Sequence, residues 1–328
     1  MKKQVFRWLT LLCMAAMLTG CGKQADGGTE PGTEIGYQVG TEQDLEISSE
    51  TEKEPVVTTV TVTATGDCAL GALQYHEYAG SFHKYYDSYG EGYFFQNFKE
   101  IFQSDDLTLV NLECVFTTAE NRVEKKFNIK GPLEYTGILT SSSVEAVSMG
   151  NNHSEDYGPE STVDTKNALD AAGVLYAIND TISYFTTEEG MVVAMVSANI
   201  TGEGNERDQY LLDGVVAARN QGAEVYNGKI ILYSLGNFSF GANRNPADKD
   251  TAVYQQTFTF VDGVLQSDIT AKIIPTRLSG HDKYNDYQPA IANEAQASVI
   301  IQRMNEYSKP YSGVFFNEQG NLLVEENN

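Results

Sequence analysis

The chain has 328 residues, of which 41% are hydrophobic and 11% aromatic, enough for a globular protein with a real core. Its formal charge of −23 excludes electrostatic capture of nucleic acid or of an anionic membrane surface. No internal repeat is visible.

Residues 1–20 carry Lys2, Lys3 and Arg7, then the apolar stretch "LTLLCMAAML", then "LTGC" ending at Cys21. The apolar stretch is too short for a comfortable membrane span. Charge, apolar core and a small residue before the cysteine follow the order of a secretory signal. The Leu-x-Gly-Cys ending resembles the bacterial lipobox, which implies cleavage before Cys21 and acylation of its thiol. A lipoprotein anchor at the extracytoplasmic face of a bacterial membrane is the expectation. Residues 21–57 are rich in Gly, Glu, Thr and Ser and read as an acidic flexible tether. The folded domain is expected over 58–328.

Order begins at "VVTTVTVTATGD", a β-branched, alternating strand over 56–67 that Gly66 and Asp67 close. A helix is predicted over 94–103. "LTLVNLECVF" over 107–116 reads as a second strand, with Asn111 and Glu113 on one face. A third strand ends at Met149. "STVDTKNALDAAG" reads as a helix that Ser161 caps and Gly173 stops. "VLYAI" is a strand, and "MVVAMVSAN" over 191–199 reads as a buried one. Residues 207–221 read as a helix. "KIILYSLGNFSFG" over 229–241 reads as strand then loop. "VYQQTFTFV" and "SDITAKIIPTRL" alternate like antiparallel strands joined at Asp262-Gly263, and a closing helix is predicted over 290–306. Together these predict an α/β layered fold, with sheets flanked by helices and antiparallel strands near the C-terminus.

Polar residues recur at the ends of the predicted strands. They are Asp67, then Asn111 with Glu113, then Asn151, Asn152, His153 and Asp156, then Asn237. In open α/β sheets such ends are where sites assemble. Carboxylate, amide and imidazole donors suit a divalent Zn, Mn or Fe ion that activates water. Turn-forming Asn and Asp residues with a backbone-bonded His153 are the alternative at any single position. Cys68 and Cys114 read as buried free thiols rather than a disulfide. Lys125, Lys126 and Lys130 in "EKKFNIKG" are the one basic cluster, and they read as a solvated loop.

Five stretches, "TATGDCALG", "LVNLECVFT", "GNNHSEDYG", "LDAAGVLYAI" and "YSLGNFSFG", resemble in order the motifs of the CapA family, from Val60 to Pro275. Residues 276–328 would be a C-terminal extension. These are poly-γ-glutamate capsule biosynthesis proteins with a calcineurin-like metallophosphoesterase fold. The resemblance implies metal-site motifs at Asp67, Asn111 with Glu113, and Asn152 with His153. It makes Asp67, Glu113, Asn152 and His153 the metal ligands, and Asn111, Asn151, Asp156 and Asn237 substrate-contacting or supporting residues. It also implies partners in polymer synthesis or export.

The chain departs from the family between Ala223 and Glu224. There the family's His-Trp-Gly-x-Glu and Gly-His-His-Pro-His type motifs are missing. His76, His83 and His281 sit in no matching motif. A gene deletion or misread coding sequence, a natural variant without catalysis, and a site completed by other residues all remain open. Two functions follow. One is a metallophosphoesterase-like hydrolase or transferase acting on poly-γ-glutamate or a related envelope polymer. The other is a catalytically inactive, polymer-binding or complex-assembling lipoprotein.

Overall fold

The computed structural model describes residues 54–179, 181–199, 222–310 and 314–324. The signal, Cys21, most of the tether and the helix expected over 207–221 lie outside the described residues.

A nine-stranded mixed sheet organises the molecule. The strand Val57–Ala69 lies at its centre. On one side it pairs in parallel with Leu107–Leu112, which is followed outward by Ala146–Ser148 and Leu175–Ala177, all parallel. On the other side it pairs antiparallel with the long strand Asp250–Val261, followed by Thr270–Arg277 and Ala290–Ile291. The expected α/β layering with antiparallel C-terminal strands is the observed architecture. The hairpin at Asp262-Gly263 forms as well. Both residues take positive φ, 50° and 80°, as a two-residue turn demands.

Alternation along the strands assigns the two faces. Val110, Leu112, Val147 and Val253 face a layer of helices that carries Phe82, Phe94, Phe95, Phe98, Phe102, Ile138, Leu139 and Leu169. Val60, Val62, Leu109, Ala146 and Phe260 form an apolar cluster on the opposite side. Further along the sheet, Ala252, Tyr254 and Ile273 pack under Ile301 and Met304 of the helix Glu294–Ser308. Among the described residues no helix is long and apolar enough to cross a membrane.

Several expected boundaries move, each for a physical reason. The central strand does not end at Asp67 but runs to Ala69 through a bulge. The helix expected over 94–103 is a 3-10 turn, Gln96–Phe98, leading into a short α-helix, Lys99–Phe102. This bend lets Phe95, Phe98 and Phe102 all pack on Phe238, with ring centroids 5.3, 5.0 and 6.1 Å away. The expected strand 107–116 splits at Glu113-Cys114 into Leu107–Leu112 and Val115–Phe116. The helix Pro159–Ala172 starts after Gly158, so Ser161 is not its cap. The Ser161 hydroxyl lies inside the first turn and donates to the carbonyl of Gly158 at 2.6 Å. The apolar run at 191–199 contributes only Val192–Met195, in a separate hairpin with Ser183–Thr186, and of these four only Met195 is buried. The loop expected after 232 contains a strand, Asn237–Phe240, parallel to the central one. The closing helix starts later than expected, at Glu294. Asn293 caps it through a reciprocal box with Gln296.

Candidate functional site

One register row across the parallel strands collects the polar residues. Asn237 pairs with Asp67, Asp67 with Asn111, and Asn111 with Ser148. Asp67 enters this row because Thr65 and Gly66 form a bulge, with two residues beyond Ala64 set against one beyond Leu109. Gly66 is required there. A methyl group on it would sit 1.9 Å from the carbonyl oxygen of Gly236. The amide of Asp67 then donates to that same oxygen at 2.9 Å, which fixes the aspartate. Asn237 therefore stands beside Asp67 at the start of a strand, not at the end of one.

Side chains continue from this row as a chain of hydrogen bonds. Asn111 Nδ2 donates to Asp67 Oδ1 at 2.7 Å. Asn151 Nδ2 donates to Asn111 Oδ1 at 3.0 Å and to the Leu112 carbonyl at 2.8 Å. Asn151 Oδ1 accepts the amide of His153 at 2.9 Å. His153 Nδ1 lies 2.8 Å from Asp156 Oδ2, which also accepts the amide of Ile129 at 2.5 Å. A carboxylate only accepts, so Nδ1 carries the proton and Nε2 is left as the ligand-binding nitrogen. Asn151 is thus the buried hub of the turn. Gly150 makes room for the turn, because its amide donates to Ser197 Oγ at 2.8 Å where a side chain would collide.

Glu113 follows Asn111 and is anchored by its own amide, which donates to the Cys68 carbonyl at 3.0 Å. Burial pushes the Glu113 carboxyl well above its usual range, and the negative charges of Asp67 and Asp156 add to the push, against the pull of Lys125. Burial also raises Asp67, against the opposing effects of the Asn111 hydrogen bond and the His153 charge. Cys68 and Cys114 are free, buried thiols that burial holds in the protonated form, so they offer no thiolate.

The structure thus brings Asp67, Asn111, Glu113, Asn151, His153 and Asp156 into one linked cluster. The backbone carbonyl of Asn152 joins it as well, accepting from Lys125 Nζ at 2.8 Å. Among the described residues, no three His, Cys, Asp or Glu side chains are gathered in a geometry that would already hold a metal ion. The donor set still fits one. Two half-buried carboxyls whose ionisation is opposed, beside an imidazole with a free Nε2, are a set that a divalent cation would relieve. A cavity of about 390 Å³ opens against Asp67 and Asn111, with Ile230, Leu232, Tyr254 and Phe258 on its apolar walls.

Lys125 corrects the reading of "EKKFNIKG" as a solvated loop. Its ammonium pairs with Asp156 Oδ1, and only 27% of its side chain remains exposed. Lys130 instead bonds the Ala119 carbonyl and Glu120, and lies over the ring of Tyr157. Lys126 lies over the ring of Phe127. The sequence reading also missed Asn128, whose Nδ2 donates to the carbonyls of Asp156 and Val123 at 2.8 and 3.2 Å.

A family model described as "Bacterial capsule synthesis protein PGA_cap" matches residues 61–207. The match contains every member of the cluster, while Asn237, which pairs with Asp67, lies outside it. A search of curated proteins returns no match to the chain. The matched segment is the one that carries Asp67, Glu113 and the Asn151-to-Asp156 turn, and over it the chain is similar to the bacterial capsule synthesis proteins.

Proposed function

We propose that this protein acts in capsule synthesis as a lipid-anchored enzyme of the cell envelope. Its site would be a metal-dependent hydrolase or transferase centre acting on poly-γ-glutamate or a related polymer. Asp67, Glu113, Asn152 and the Nε2 of His153 would hold one divalent ion, Zn, Mn or Fe, which would lower the pKa of a bound water and polarise the bond attacked. Asn111 orients Asp67, Asn151 carries the His153 turn, and Asp156 fixes the His153 tautomer. Asn237 lies beside Asp67, where a substrate group would pass. The anchor is the acylated Cys21, and synthesis or export proteins of the same polymer would be the partners. The observation that carries the reading is the unbroken hydrogen-bond chain from Asp67 to Asp156, which holds acid, amide and imidazole groups in one place.

One feature favours a catalytically inactive, polymer-binding or assembly role instead. Where the CapA resemblance expects further histidine motifs, after Ala223, the chain makes a tight hairpin, Ala223–Tyr226 with Lys229–Leu232. The remaining imidazoles are engaged elsewhere. His83 bonds Tyr135 at 2.7 Å, His281 stacks on Tyr284, and His76 meets Tyr75 edge-on.

The test is turnover of poly-γ-glutamate and of a phosphodiester by the Mn-supplemented protein. Activity that disappears in Asp67→Ala and in His153→Ala supports the enzyme. Retained polymer binding without turnover in the wild type supports the second reading.

A further inference from the structure

The cluster contains a positive charge of its own, and its surroundings are those of a bound ion. Asp156 is fully buried. Its Oδ2 is occupied by the Ile129 amide and His153 Nδ1. Its Oδ1 has no hydrogen-bond partner, so the Lys125 ammonium is its only counterpart among the described residues. The same Nζ takes the Asn152 carbonyl at 2.8 Å and lies 3.4 Å from His153 Nδ1. The carboxylate oxygen and the carbonyl oxygen around this centre are hard donors of the kind a divalent cation selects, while the His153 Nδ1–H is turned to Asp156 Oδ2.

The loop bearing Lys125 is also tied to Asp156 through groups other than that side chain. The Val123 amide donates to the Asp156 carbonyl at 3.0 Å, and Asn128 holds the same carbonyl from the other side. The ammonium is therefore delivered by a loop that has further ties to Asp156.

We propose that Lys125 is a tethered cation occupying a metal position beside Asp156, so that removing its charge opens a site for one additional divalent ion. The inference goes beyond the functional reading above. It concerns the difference between variant and wild type, whatever the wild type itself binds. Lys125 would set how many ions the site takes, holding the Asp156 side filled and leaving the Asp67 and Glu113 side for an exchangeable ion.

The experiment is Mn²⁺ binding to the full chain by equilibrium dialysis and elemental analysis, with thermal unfolding alongside. Lys125→Met and Lys125→Gln are expected to bind about one Mn²⁺ more per chain than the wild type. Their Tm should rise with Mn²⁺ by more than the wild type's. Adding Asp156→Asn to Lys125→Met leaves a neutral pair with no stranded buried charge, and this double variant should lose the extra ion while staying folded. The proposal is overturned by folded single variants with no ion beyond the wild-type number. It is equally overturned by an extra ion that persists in the double variant, or by single variants that Mn²⁺ cannot restore to the folded state. The wild-type metal content tests the functional reading separately, so the two can fail independently.

Discussion

Asn151 carries more of the site than its small side chain suggests. It donates twice, accepts once, and is only 1% exposed. Asn151→Ala would leave the Leu112 carbonyl and the His153 amide without these partners, so a loss of about 2–3 kcal/mol is expected in urea unfolding. Glu113 behaves in the opposite sense. Its carboxyl is raised, so the folded state favours the protonated form. Stability from that preference is complete below the ordinary carboxylate pKa and is lost as pH rises toward the shifted value. At neutral pH without metal, Glu113→Gln should therefore stabilise the protein by about 1 kcal/mol, while weakening its hold on a divalent ion. Denaturant midpoints at pH 7, with and without Mn²⁺, check both halves. Asp67, Asn111 and His153 were legible in the sequence because polar residues broke apolar strands at matching places. Lys125 was not, because a lysine in a basic run carries no sign of which way it points.

At the scale of elements, the bulge at Thr65 and Gly66 turns a regular strand into a site. Gly66→Ala would drive a methyl group into the Gly236 carbonyl, and a loss of about 2–3 kcal/mol is expected, with Asp67 displaced from Asn111. Thermal unfolding measures the first effect and metal affinity the second. The opposite ends of the strands hold a separate acidic pair. Burial pushes Asp105 up to about 6 and Glu145 up to about 7, while Glu145 accepts the Thr108 amide at 2.8 Å. Both shifts are upward, so both contributions are present at pH 4 and are lost as pH rises through 6 to 7. Glu145→Gln can still accept from Thr108, and it should flatten that slope by about 1 kcal/mol once solvent screening is allowed for. Urea unfolding between pH 4 and pH 7.5 tests it. Strand existence was readable from β-branched alternation. The strand at Asn237 was not, because Gly-Asn reads as a turn unless its parallel neighbour is known. The strand Val192–Met195 misled for a related reason, since an apolar run does not say which sheet it joins.

For the molecule as a whole, the α/β order and the antiparallel C-terminal strands followed from where helical and alternating patterns fell along the chain. The packing of the second face did not, because its clusters join residues as far apart as Val60 and Phe260. The strongly acidic composition also concealed a local arrangement in which a lysine completes a carboxylate cluster. The central claim is that Asp67, Glu113, Asn152 and His153 form a divalent-metal site. Elemental analysis of the folded protein, purified without chelator, tests it most directly. The account predicts a stoichiometric transition metal that is lost in Asp67→Ala and His153→Ala variants that remain folded. A folded wild type that carries no metal, and takes none up from micromolar Zn²⁺, Mn²⁺ or Fe²⁺, would contradict it.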